Sequence, residues 1–70
     1  MRYAVIIEQS NTGYGAYVPD LPGCVAVGET REETVRLMQA AIELHLQSIR
    51  QHGESVPKPT STIELIEVAA

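Results

Sequence analysis

The sequence predicts an α+β domain: a mixed four-stranded sheet, ordered 3-2-1-4, with one helix on one face. Three observations lead there. Short β-branched and aromatic runs open the chain and are broken by turn formers. A capping signal at Thr30 then starts a long stretch of helical periodicity that stops at Gly53. After a proline-bearing linker, Thr62 to Val68 returns to strand-like residues.

Arg2 to Glu8, with Tyr3, Val5, Ile6 and Ile7, reads as the first strand. Tyr3, Val5 and Ile7 fall on one face and Ala4 and Ile6 on the other, so both faces are apolar and a central position is expected. Gln9 to Gly13 is a turn. Tyr14 to Val18 is the second strand, and Pro19-Asp20-Leu21-Pro22-Gly23 ends it, because proline removes a ladder donor. Cys24 to Gly28 is the third, completing an antiparallel meander.

Thr30-Arg31-Glu32-Glu33 matches a capping box, and Glu29, Glu32 and Glu33 place negative charge at the positive end of the helix dipole. The helix should run to about His52. Val35, Met38, Ile42, Leu46 and Ile49 form one stripe, which Leu37, Ala41 and Leu44 widen to roughly 200°. One face can cover the sheet; the flank bearing Leu37 and Leu44, with His45 inside the apolar arc, is a candidate oligomer interface. The alternative is a sheet curled around the helix. In the predicted strand order the first and fourth strands lie parallel, joined by a right-handed crossover. The sheet face away from the helix, lined by Tyr and Ile/Val side chains, has nothing to cover it and is a second candidate interface.

The chain has 70 residues, a net charge of −4 and one cysteine. It forms one domain, residues 1–70, too small to bury a sizeable core and without an intramolecular disulfide. A homo-dimer or homo-tetramer is the expected source of extra stability. The acidic balance, with no basic stripe, argues against direct nucleic-acid binding and suits a basic protein partner. The opening apolar run is too short for a signal peptide or membrane span, and the lone thiol agrees with a reducing compartment, so a cytoplasmic location is expected.

Tyr17-Val18-Pro19-Asp20-Leu21-Pro22-Gly23-Cys24, then Gly28-Glu29-Thr30, Glu32-Glu33 and a helix containing Ala40-Ala41-Ile42, resembles the HicB-like antitoxin family. The opening Tyr3-Ala4-Val5-Ile6 fits it too. The resemblance covers nearly the whole chain. It implies a partial RNase H-like fold and a partner, a small basic mRNA-cleaving toxin of the HicA type. Fuller members carry a C-terminal DNA-binding domain. Nothing of that kind follows Val68 here, so the chain reads as a short, stand-alone member. Under this resemblance Tyr17, Asp20, Leu21, Pro22, Glu29, Glu32 and Glu33 are the candidate toxin-binding residues. An orphan self-assembling structural or regulatory oligomer, with no toxin partner, is the rival reading.

Enzymatic chemistry is not expected. Glu8, Asp20 and Glu29 are scattered over strand ends and loops, where two-metal hydrolysis needs converging carboxylates. Asp20 fits a turn that caps nearby backbone amides, Gly23 an awkward φ or close packing, and Cys24 a buried small hydrophobe. No metal or cofactor is expected.

Overall fold

Three strands and one helix follow in the order β1 (Ile6–Gln9), β2 (Tyr14–Tyr17), β3 (Val25–Gly28) and α1 (Arg31–Gln51) in the computed structural model, which describes residues 1–69. The strands form an antiparallel meander, β1-β2-β3. Ile7 pairs with Ala16 and Ala16 with Ala26, while Ile6 pairs with Tyr17 and Tyr17 with Val25. Successive side chains alternate faces, so the first row looks toward the helix and the second away from it. The β1–β2 turn closes through the Ser10 N–H donating to the Gly13 carbonyl at 2.8 Å.

Thr30 caps the helix as its sequence signal predicts: its Oγ1 accepts from the Glu33 N–H at 3.1 Å. Glu33 reaches one residue further back than a standard capping box, accepting the Glu29 N–H at 2.8 Å. Gly28, just before the cap, is fixed by close approach. A Cβ built there would lie 2.5 Å from Thr34 Oγ1 and 3.0 Å from Thr34 N. Thr34 is fully buried, its hydroxyl donating to the Thr30 carbonyl at 2.7 Å. The other end closes with Gly53 N–H on the Arg50 carbonyl and Glu54 N–H on Ile49, a Schellman pattern.

The core lies where α1 crosses β2 and β3. Ala16, Val18, Leu21, Cys24 and Met38 are buried. Tyr3, Val5, Ile7, Ala26, Ala41, Ile42, Leu46 and Ile49 pack around them. Val35, expected in the helix stripe, is 41% exposed, and Thr34 takes the inward position. Cys24 is buried as expected, and burial pushes its thiol pKa up.

Three strand expectations are corrected. Pairing begins at Ile6 rather than Arg2, because β2 ends at Tyr17 and the chain then turns at Val18–Pro19, leaving Tyr3 to Val5 no partner. β1 is consequently an edge strand of the described sheet, not a central one. Among the described residues there is no fourth strand: 62–69 has no regular secondary structure, pairs with no strand and is exposed. The sheet is therefore three-stranded and wholly antiparallel, not mixed.

Gly28→Ala should lower unfolding free energy by about 1–3 kcal/mol in a urea titration, the cost of forcing a methyl into a packed site. Gly15→Ala, where a Cβ meets nothing within 4 Å, should change it by no more than about 0.5 kcal/mol. Equal effects would contradict the close packing of strand end on helix start.

Candidate partner-binding surface

The β2–β3 connection is a rigid hook built by its own backbone. The Leu21 N–H donates to the Val18 carbonyl and the Cys24 N–H to Leu21, each at 3.1 Å, while Val18 N–H reaches the Cys24 carbonyl at 3.3 Å. Gly23 has φ +83° with open space where a Cβ would be, so the position requires the left-handed conformation and not close packing. Pro19, Pro22 and Gly23 are exposed. Leu21, expected among the contact residues, is instead fully buried: it plugs the core and holds the hook down from beneath.

Asp20 has a role different from the expected turn cap. Its carboxylate accepts from residues forty positions away, Oδ2 from the Thr60 and Ser61 amides at 3.0 and 2.9 Å, and Oδ1 from their hydroxyls at 3.1 and 2.8 Å. The Ser61 amide, then its hydroxyl, do most to hold the Asp20 pKa below the ordinary 3.8; the Thr60 donors add to this. Tyr3 makes a second tie, its hydroxyl donating to the Pro57 carbonyl. Together these contacts pin the segment after the helix across the end of the sheet, and release the chain at residue 62.

Tyr17 lies on the outer sheet face, 42% exposed, in the cross-strand row Ile6–Tyr17–Val25. Val25 and Val27 stand beside it at 62% and 76% exposure. Among the described residues nothing covers this face. The expected face of Tyr and Ile/Val side chains is this one; sequence reading does not name the two valines individually, although the small–large alternation Cys24-Val25-Ala26-Val27 carries the signal: the small residues turn inward. The loop and Tyr17 thus adjoin one apolar patch. Glu29 and Glu32 are exposed at the other end of β3, whereas Glu33 is half-buried and engaged in the helix cap. Leu37 and Leu44 are exposed on α1, at 44% and 66%, and His45 is half-buried. The predicted residues therefore fall into three separate places: loop with outer face, helix start, and helix flank.

Among the described residues no three His, Cys, Asp or Glu side chains come together as a metal site, and no helix is long and apolar enough to cross a membrane. The fold is a thin sheet-and-helix layer with uncovered apolar surfaces beside a braced loop. The chain belongs to the HicB-like antitoxin family of bacterial toxin-antitoxin systems, whose profile matches residues 3–69. It is 40% identical over 70 residues to a UPF0150 protein of Helicobacter pylori, covering 99% of this chain and 97% of that one. It is 32% identical over 71 residues to Antitoxin HicB 2 of Photorhabdus laumondii, covering all of this chain and 51% of that protein. An uncharacterized 14.9 kDa protein of Haemophilus phage HP1 is 38% identical over 58 residues, 83% of this chain and 44% of that protein. The chain thus spans about half the length of the last two. Membership points to a regulatory, non-catalytic role.

Asp20→Asn should expose the Thr60 and Ser61 amides to hydrogen exchange while core amides of β2 and α1 keep their protection. Because the folded-state pKa is lowered, the clamp stabilises the fold at every pH above 3.8 and is lost as pH falls through the lower folded value. Wild-type protein should accordingly lose protection at these two amides only under acid. Unchanged exchange in the variant at neutral pH would refute the clamp.

Proposed function

We propose that this chain is the toxin-neutralising module of a type II toxin-antitoxin pair, binding a small basic HicA-type mRNA-cleaving toxin in the cytoplasm. Family membership over residues 3–69 carries the reading, and the name of the Photorhabdus relative agrees with it. Physical features support it. A net charge of −4, with Glu29 and Glu32 free at the helix start, complements an RNA-binding face. Charge of this kind mainly sets association rate and partner choice. Tyr17 and the Pro19–Gly23 hook supply an aromatic anchor and a stiff edge, and a pre-ordered loop loses little entropy on binding. The partial RNase H-like arrangement belongs to the same reading, with residues 62–68 as its fourth strand.

Neutralisation requires only that the toxin's catalytic surface be covered, which accounts for a module whose titratable side chains do not converge. Homo-oligomerisation is part of the proposal, since the same layer leaves its own apolar faces open.

Co-expression with a HicA-type toxin encoded beside the gene should restore growth and recover both proteins in one complex. Glu29→Lys with Glu32→Lys should slow association about tenfold or more at low salt, with the difference shrinking as salt rises. Unrelieved growth arrest with no complex would overturn the reading in favour of an orphan oligomer.

A further inference from the structure

Beyond Ser61 the chain runs on as an exposed tail without strand pairing. Its four large apolar side chains are exposed, Ile63 by half and the others mostly: Ile63 is 53% exposed, Leu65 90%, Ile66 77% and Val68 74%. Exposure of that kind has a cost unless something covers it. The Asp20 clamp at Thr60 and Ser61 fixes where the tail departs, so it emerges in a defined direction.

The same chain displays a vacancy of matching form. β1 is an edge strand whose outer backbone groups face no neighbour among the described residues, and such an edge is a template for another strand. Beneath that edge runs an apolar groove of about 390 Å³, lined by Tyr3, Val5 and Ile7 from the sheet side and Val35, Met38 and Ile42 from the helix. A strand laid beside β1 would drop one row of side chains into this groove and add the other row to the outer face at Ile6. The tail carries apolar residues in both rows, Ile63 and Leu65 in one and Ile66 and Val68 in the other. Its length suffices: seven residues, about 23 Å if extended, exceed the four of β1 (Ile6–Gln9) and would reach on along Tyr3 to Val5, which the three-stranded sheet leaves unpaired.

The tail does not fill its own vacancy. Ile63 and Leu65 share an open cleft with Val5, Ile7 and Gln9, yet no backbone hydrogen bond joins tail to β1, and Leu65 remains almost fully exposed. Donor segment and acceptor edge are thus both present and both unused in one chain.

We propose that two copies exchange these tails, each laying residues 62–68 along the β1 edge and into the groove of the other, so that each four-stranded sheet is completed in trans. Reciprocal exchange closes on a two-fold axis and uses the same patch twice. It extends the oligomer named above to a specific segment and edge, and it holds with or without a toxin.

Sedimentation velocity of the full chain at micromolar concentration tests it, with Leu65→Lys plus Ile66→Lys as the variant. Both side chains are exposed in the single chain, so the variant should keep its helical circular dichroism while its dimer dissociation constant rises about a hundredfold or more. A mixed dimer of ¹⁵N-labelled and ¹³C-labelled copies should give intermolecular NOEs between Ile63–Val68 of one and Tyr3–Ile7 of the other. A wild-type monomer, a dimer whose tails stay free, or NOEs joining the tail to β1 of its own copy would each overturn the proposal. A toxin-binding failure with the dimer intact would count against the antitoxin reading alone.

Discussion

One helix laid on three short strands can bury only one face of the sheet, and every other feature of this protein follows from that. Met38 packs against Ala16, Val18, Leu21 and Cys24, and among the described residues these side chains and Thr34 are the buried ones. Close approach is what makes so small a core hold. Gly28 lets the end of β3 touch the first turn of α1, and the Thr30 cap directs the helix back over the sheet. With extents of 48 × 26 × 16 Å the molecule is a layer, and a layer has two sides.

What the layer cannot bury, it presents. Ile6, Tyr17, Val25 and Val27 line the outer face, the groove under β1 lies open, and the tail beyond Ser61 carries four large apolar side chains into solvent. The Asp20 clamp organises this surplus. By tying Thr60 and Ser61 to the β2–β3 hook, it links a loop that borders the outer face to the exit of the tail. The uncovered outer face and the exit of the tail are thus neighbouring surfaces held by a single carboxylate.

Much of this was legible in local pattern. The meander, the Thr30 cap, the helix stop at Gly53, the buried thiol and the uncovered sheet face all rest on interactions within a few residues, or on period-two alternation. Long-range choices were not legible. Asp20 sits in a turn sequence that offers amides close at hand, and nothing nearby signals that Thr60 and Ser61 win it. Leu21 looks like loop, between Asp20 and Pro22, although a leucine so placed is a reason to suspect a plug. Thr34 displaces Val35 from the inward stripe because its hydroxyl can bond Thr30 and its small side chain fits against Gly28. The fourth strand has strand composition but needs an edge to pair with, and composition does not say whose edge. Of the candidate site residues, Tyr17 and Pro22 stand at the surface beside the uncovered face, while Glu33 is drawn into the cap.

Dependence on company should be visible in the unfolding midpoint. If association covers the open surfaces, thermal unfolding followed by circular dichroism should rise with protein concentration, by roughly 5–10 °C over a hundredfold range for a dimer of this size. A midpoint that stays constant across that range would mean that the layer is stable alone and its apolar faces need no cover.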